Sequence, residues 1–500
     1  MSRGRHRRST VVLVAGLCAV TAACGNGKSI LEIGGATVPT VPPPDTGDTP
    51  ATIPTTTAVP EEELPPCPVE ALDAATGPVP ITFWHAMTAA NEEALAKLTN
   101  AYNASQTKVR VALINQGGYE QSIEKYKTSS ANDRPTLVQM PEYTLQLLAD
   151  SNTVVPIQSC VNAEDYDLSD FVPRATAYYT LRGALQGMPF NLSNPVLYYN
   201  RAAFEQAGLD PDDPPTSLEE LRSASEKLVQ SGVVKYGLAL DHSIDGGGGW
   251  FLEQWLAKAG ELYANNENGR AAPATNVLFA GSAGVELMTF LQQMVIDGLA
   301  VDVGPNTSLP DNLLKLVDTE PAGMTIHTTA ALGSVLTILD AGGYPVTSAD
   351  VGIGPMPGPT VNPGVLVGGA SLWLPIGKGD AETAAAWDYI KFLVAPEQQS
   401  QWAADTGYVP VRQSATELAP IKDVYASDPR FAVGYDQLLA AADTPVEAGP
   451  VLGPQREVRI LTSNAVESIL VARSDVAQAL TAAARQSDLL IANWASSVGG

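Results

Sequence analysis

The residues of this chain whose types could do chemistry are sparse, and their spacing suits binding better than catalysis. Beyond the N-terminal segment the histidines are His85, His242 and His327, and no two stand at a metal-ligand or triad spacing. No Gly-x-Ser-x-Gly elbow is present. Gly246 to Gly249 form a run of four glycines before Trp250. The lysine and hydroxyl that complete a phosphate loop are missing, so the run reads as a flexible loop presenting Trp250. No catalytic residue, metal site or cofactor is therefore expected. Scattered carboxylates keep a glycosidase-type pair open as the enzymatic alternative.

Groups suited to holding a small molecule do cluster. In an open α/β sheet ligands sit outside the carboxyl ends of the strands, which would put Trp84-His85, Gly117-Gly118-Tyr119 and Glu142 on one rim. Tyr119 and Glu142 also have a plainer reading as first-turn helix residues, where a glutamate suits the dipole. A second candidate is the stretch 189–200. Pro189 and Pro195 hold the backbone extended around Asn191, Ser193 and Asn194, whose side chains are uncharged donors and acceptors, and a β-prone run from Val196 to Tyr199 follows. It reads either as a crossover between two lobes, lining a cleft, or as a strand with a proline-edged start. Gly368-Gly369, inside an apolar run, permits close backbone approach or marks a bulge. The turn 406–411 is shaped by Gly407 and Pro410 and could aim Tyr408 inward.

The elements that would position these groups alternate. Residues 81–85, 109–114 and 136–140 have strand patterns, while 89–104, 119–127 and 142–150 have helical ones, with Ala94, Leu95, Leu98 and Tyr102 on one face of the first helix. Strand alternating with helix implies α/β architecture with mostly parallel sheets flanked by helices. Further on, Thr216 is a candidate N-cap with Glu219 three residues later. Strands are expected at 236–240 and 322–326, the latter returning the chain to the first lobe, and at 365–375. Helices are expected at 251–259, 283–298, 332–339, 381–393, 398–405, through 459–471 and at 476–494.

The N-terminus points to a compartment. Arg3, Arg5, Arg7 and Arg8 precede an apolar run from Val11 to Val20, and Thr21-Ala22-Ala23-Cys24 closes it with small residues. This is a secretory signal pattern, too short to remain as a membrane span. The ending resembles a bacterial lipobox, with cleavage after residue 23 and a lipid on Cys24; a plain signal peptide is the alternative. Loss of residues 1–23 removes four arginines, so 29 basic residues become 25 against 54 acidic ones, a net charge near −29. That balance excludes nucleic acid and anionic membrane surfaces as partners, since both require a basic face. Contact with the membrane would be through the lipid anchor alone. From Thr37 to Pro66, nine prolines and eight threonines in thirty residues leave little to bury, so residues 24–66 read as an extended tether. Cys67 and Cys160 are then the remaining cysteine pair. In an oxidising compartment they suggest one disulfide, with two buried thiols as the alternative.

Several stretches together support a named resemblance: Phe83-Trp84-His85-Ala86-Met87, Gly118-Tyr119-Glu120-Gln121, Pro189-Phe190-Asn191 through Val196-Leu197-Tyr198-Tyr199-Asn200, Ala207-Gly208-Leu209-Asp210-Pro211, Gly368-Gly369-Ala370-Ser371-Leu372-Trp373 and Thr406-Gly407-Tyr408-Val409-Pro410. In this order they resemble the family-1 extracellular solute-binding proteins of ABC transporters, in the maltose-binding-like cluster, and within it the glycerol-3-phosphate-binding branch of the ugp importers. The resemblance implies a two-lobed periplasmic-binding-protein fold of type II, the Venus-flytrap form, with lobes joined by hinge crossovers. Lobe 1 is expected at 67–190 and 328–370, and lobe 2 at 191–327 and 371–500.

Carried over position by position, the family's ligand contacts fall on Tyr119, Glu142, Ser193, Thr328, Gly369, Tyr408 and Arg459. Thr328 departs from the family's serine but keeps the hydroxyl, and Leu192 replaces a polar residue beside Ser193. Arg459 would then hold a phosphate with its planar fork, while the hydroxyls of Tyr408, Ser193 and Thr328 add neutral donors. Glu142 would accept from glycerol hydroxyls. Lobe 1 would supply Tyr119, Glu142 and Thr328, and the hinge or lobe 2 would supply Ser193, Tyr408 and Arg459. The implied function is capture of sn-glycerol-3-phosphate or a glycerophosphodiester such as glycerophosphocholine by hinge closure. A monomeric, lipid-anchored, extracytoplasmic protein would hand this solute to an ABC permease. A neutral oligosaccharide is the competing ligand within the same fold.

Overall fold

The computed structural model describes residues 64–306, 311–360, 362 and 364–498. The signal segment, Cys24 and nearly all of the expected tether lie outside the described residues. The folded chain opens with β1 (Val79–His85), the helix Ala89–Ser105, β2 (Val109–Asn115), the helix Tyr119–Thr128 and β3 (Leu137–Pro141). β1 pairs parallel with both β2 and β3, so Phe83 stands beside Leu113 on one edge and Leu137 on the other. β3 is buried along its whole length, as a parallel strand covered on both faces should be. β4 (Val154–Val155), the small hairpin of β5 (Thr180–Leu181) and β6 (Ala184–Leu185), and β7 (Met188–Ser193) follow.

The chain then leaves for a second sheet, built from β8 (Pro195–Asn200), β9 (Tyr236–Leu240), β10 (Ala300–Asp302), β11 (Ala322–Thr328) and β12 (Val351–Pro355) in the order β10-β9-β11-β8-β12. β13 (Gly368–Pro375) goes back to the first sheet, whose order is β2-β1-β3-β13-β4 with β7 also lying along β13. Both sheets are mixed. Ladders made by βαβ crossovers are parallel, and those made by returning strands are antiparallel, as between β13 and β3 or β8 and β11. The result is a two-lobed α/β fold. Phe83, Trp373, Trp387 and Trp402 are buried in one core and Leu238, Trp255, Met288 and Val458 in the other.

The stretch 189–200 is the first crossover. Its proline-edged part is strand, not loop, and every residue from Met188 to Tyr199 is buried. Asn194 alone separates the two sheets. Its carbonyl accepts from the Thr329 amide at 3.0 Å and its side-chain amide donates to the Gly434 carbonyl at 2.7 Å. The chain crosses again between β12 and β13, and a third time where Val451 packs in the first core and Leu452 in the second.

These crossings correct the expected lobe boundaries. Residues 328–356 belong with the second sheet, where Leu332 and Val351 pack on Val196 and Tyr198. The helices Asp380–Leu393 and Pro396–Thr406 belong with the first, through Trp387 and Trp402. β11 likewise stays in the second sheet instead of returning the chain to the first lobe. The boundaries shifted because they depend on non-local antiparallel pairing, which no local pattern reveals. Cys67 and Cys160 are joined in a disulfide. The helix expected to start at Thr216 starts one residue later, with Ser217 and Glu220 forming a reciprocal capping box. Among the described residues, no helix is long and apolar enough to cross a membrane.

Candidate functional site

Seven of the eight ligand residues named from the sequence, Tyr119, Glu142, Ser193, Thr328, Gly369, Tyr408 and Trp250, line one cleft of about 720 Å³, and Arg459 lies behind it. Lobe 1 contributes Tyr119 at the start of its helix, Glu142 just past β3, Ser193 at the end of β7, Gly369 in β13 and Tyr408 after the helix Pro396–Thr406. Lobe 2 contributes Thr328 at the end of β11 and Trp250 at the start of the helix Trp250–Lys258. Tyr408 therefore comes from lobe 1 and Thr328 from lobe 2, the reverse of expectation, for the same topological reason as the boundaries, while Ser193 stands at the hinge, next to Asn194.

A chain of side-chain amides orients the lobe 1 wall. The Ala86 amide donates to Gln139 Oε1 at 2.9 Å, Gln139 Nε2 donates to Asn191 Oδ1 at 2.8 Å, and Asn191 Nδ2 donates to the Tyr119 hydroxyl at 3.1 Å. Tyr119 accepts there, and its hydroxyl is also hydrogen-bonded to that of Tyr408. Burial, with Tyr408 adding to it, keeps the Tyr119 phenol well above its ordinary pKa, and burial raises that of Tyr408 too. Both stay neutral donors at any physiological pH. Tyr408 is held by stacking on Trp402, ring centroids 5.5 Å apart, and by the bond from the Val409 amide to the Leu192 carbonyl at 2.7 Å. Leu192 is buried in the first core and does not line the cleft. Gly369 has φ +90°, and a Cβ there would collide with the Asn191 carbonyl, so no side chain can intrude from this strand. Thr328 Oγ1 accepts from the Ala330 amide at 3.2 Å, which occupies a lone pair and leaves its proton available.

Arg459 departs most from expectation. It is 1 % exposed, and its fork is already used. Nε and Nη2 each donate to the Glu253 carboxylate at 2.8 Å, and Nη2 also lies 2.9 Å from Glu142. Nη1 has no hydrogen-bond partner and stands 3.8 Å from Asp245. Burial alone would lower the Arg459 pKa, but Glu253 and Glu142 outweigh it and hold the cation. Glu142 is pushed up to about 7, because burial outweighs the attraction of Arg459 while Asp245 and Glu253 repel it.

The glycines before Trp250 are not a flexible loop. Gly246 to Gly249 are buried, and Cβ atoms on Gly247, Gly248 and Gly249 would strike the carbonyls of Asp241, His242 and Ile244. Only glycine lets the segment pack this closely. Trp250 is buried against Phe251, ring centroids 5.7 Å apart, and its indole N–H has no partner among the described residues.

The structure adds residues that the sequence reading passed over. Glu120, Asp241, Asp245 and His327 line the cleft. Burial raises Asp241 to about 6 and lowers His327 to about 4, so the histidine is neutral and brings no charge. Glu253, one helical turn after Trp250, carries the Arg459 pair. The adjacency of Glu120 to Tyr119 was the available signal. Trp84 and His85 are buried and do not line the cleft. No group of metal-ligating side chains occurs among the described residues.

Comparison with known proteins agrees with this architecture. The family model for bacterial extracellular solute-binding proteins matches residues 97–433. The chain is 29% identical over 430 residues to the sn-glycerol-3-phosphate-binding periplasmic protein UgpB of Pectobacterium atrosepticum, covering 83% of this chain and 92% of that one. With UgpB of Escherichia coli K12 the identity is 28%, covering 83% and 93%. Among solved structures, UgpB from Mycobacterium tuberculosis in complex with glycerophosphocholine aligns with TM-score 0.67 at 22% identity, covering 83% of this chain and 98% of that one. The cyclic alpha-maltosyl-1,6-maltose binding protein from Arthrobacter globiformis aligns with TM-score 0.67 at 23% identity, covering 83% and 100%. At these identities the structural likeness concerns the fold, and it is the match of the family model over most of the chain that identifies the protein as a member of the bacterial extracellular solute-binding protein family.

Proposed function

We propose that this solute-binding protein captures a glycerophosphodiester with a cationic head group, glycerophosphocholine being the model compound, and delivers it to an ABC permease. The relatives named for glycerol-3-phosphate and the neighbour solved with glycerophosphocholine support the glycerophosphate class. The observation that carries the choice within the class is the charge balance of the cleft. Glu120, Glu142, Asp241 and Asp245 line it, the Arg459 fork is held by Glu253 and Glu142, and only Nη1 of that guanidinium lacks a hydrogen bond. A phosphomonoester with nearly two charges meets this field badly. A diester brings one negative charge, which the hydroxyls of Ser193, Thr328, Tyr119 and Tyr408 can hold directly while the buried Arg459 cation offsets it from behind the wall. Its quaternary ammonium suits the carboxylates and the faces of Trp250 and Phe251. Glu142 accepts from the glycerol hydroxyls.

In this reading the two lobes close on the solute because both contact it, and each contact made only in the closed form shifts the hinge. Titration calorimetry of the purified protein tests it. Glycerophosphocholine should bind more tightly than sn-glycerol-3-phosphate, and maltose should give no heat. Tyr408→Phe or Ser193→Ala should each weaken glycerophosphocholine about 10-fold, the value of a hydrogen bond to a charged group. Binding of maltose with no response to glycerophosphocholine overturns the reading in favour of a neutral oligosaccharide. That second reading is favoured by the same carboxylates, which accept sugar hydroxyls equally well. Lipid attachment at Cys24 belongs to the proposal and predicts that Cys24→Ala releases the protein from the membrane fraction.

A further inference from the structure

The cleft is bridged by a pair of charges, one of which, Glu120, is a carboxylate of its lining. Glu120 sits in lobe 1, on the first turn of the helix Tyr119–Thr128, and Arg456 sits in lobe 2 on the helix Gln455–Leu470. Arg456 Nε and Nη2 both donate to Glu120 Oε2, while Glu120 Oε1 accepts from the Tyr143 hydroxyl at 3.0 Å. One turn further along the same helix, Arg459 meets Glu142 of lobe 1 at 2.9 Å. Two arginines on one helix face thus reach two glutamates across the cleft.

The two pairs differ in what happens to them when the lobes separate. Arg459 has a bidentate partner in its own lobe, Glu253 at 2.8 Å, and stays satisfied when the lobes part. Among the described residues Arg456 has no hydrogen-bonded acid in its own lobe: Glu457 stands at 3.7 Å, beyond hydrogen-bond distance, and Asp245 feels its charge without an ion-pair contact. Its charge-assisted bonds therefore exist in the closed arrangement and vanish in the open one. An interaction present in one of two states biases the balance between them, whereas an interaction present in both does not. The side chains are 25% and 34% exposed, so opening returns both to water at small cost. A pair of this kind shifts an equilibrium by a factor of about 2 to 5, which suits a hinge that must still reopen for release.

We propose that Arg456 and Glu120 form a cross-cleft clasp that sets how far the lobes close before any solute arrives, with Arg456 as the positioning residue. The inference rests on the reading of the cleft as one that opens and closes. It also assigns the Glu120 charge to Arg456, which removes one carboxylate from direct competition for the solute.

The test is hydrogen exchange on the ligand-free protein, which keeps its outcome separate from the identity of the solute. Arg456→Gln and Glu120→Gln should each speed exchange about 2- to 5-fold in the cleft-facing segments 119–128 and 241–250, while β1 and β9 exchange as in the parent. The charge swap combining Glu120→Arg with Arg456→Glu should restore slow exchange in both segments, and 1 M salt should mimic the single variants. Unchanged exchange in either single variant, or a swap no better than the worse single variant, overturns the clasp. Faster exchange spread through β1 and β9 would mean loss of the fold in place of opening, and would overturn it also. A cleft that binds no glycerophosphodiester at all, with the exchange pattern as expected, would sink the solute reading and leave the clasp standing.

Discussion

Glu142, Glu253 and Asp245 crowd around one guanidinium, and that imbalance shows in the proton affinity of Glu142. An ordinary glutamate at 4.5 is raised here to about 7, so between these values the unfolded chain has lost the proton while the folded chain keeps it. Below about 4.5 the two states bind it alike and the full contribution to stability is present; as pH rises towards 7 that contribution is lost. In the Glu142→Gln variant the stability measured by urea unfolding should therefore fall less between pH 5 and pH 8 than in the parent. An identical slope would show that Glu142 titrates normally. Arg459 makes a second expectation at this scale. Arg459→Met strands two buried carboxylates and should cost about 3 to 5 kcal/mol, whereas Arg459→Met combined with Glu253→Gln should recover a good part of it. Denaturant midpoints of the two variants give the comparison.

Among the elements, those set by local signals match the sequence reading closely. The helix expected at 89–104 runs Ala89–Ser105, and that expected at 381–393 runs Asp380–Leu393, because periodicity and capping are short-range. The error at Thr216 is instructive, since Thr216 and Ser217 are both good caps and both bond Glu220. Only Ser217 Oγ accepts from the third helical amide, that of Glu220, at 3.2 Å. Ser217→Ala should lower stability by about 1 kcal/mol, and Glu219→Ala, outside the box, should have a smaller effect in the same denaturant series. The tetraglycine misled for another reason. Flexibility was inferred from composition, while the close carbonyls of Asp241, His242 and Ile244 come from folding.

For the whole molecule, the Cys67–Cys160 disulfide closes a separation of 93 residues and ties the start of the globule to lobe 1. In the chain-entropy model a loop of that length stabilises by about 4 to 5 kcal/mol. Thermal unfolding with and without reductant should show a drop in Tm, and the Cys67→Ser, Cys160→Ser double variant should show no further response to reductant. The excess of 54 acidic over 29 basic residues shapes the same scale. A small anionic solute has to be held by local dipoles and a shielded guanidinium, because the field of the whole protein opposes it.

The sequence alone determined the family, the alternation of strand and helix and most of the cleft wall, and it offered the crossover at 189–200 as one of two readings. Tyr119, Glu142 and Ser193 stand beside turn and strand signals that act within a few residues. Tertiary structure alone decided which lobe owns each wall, that Leu192 points into a core, and that Arg459 is already engaged. Those outcomes depend on β13 entering the first sheet antiparallel and on Glu253 and Glu142 converging from opposite lobes. Partners separated by hundreds of residues leave no local pattern, so the charge that a solute meets in this cleft is set only when the chain has folded.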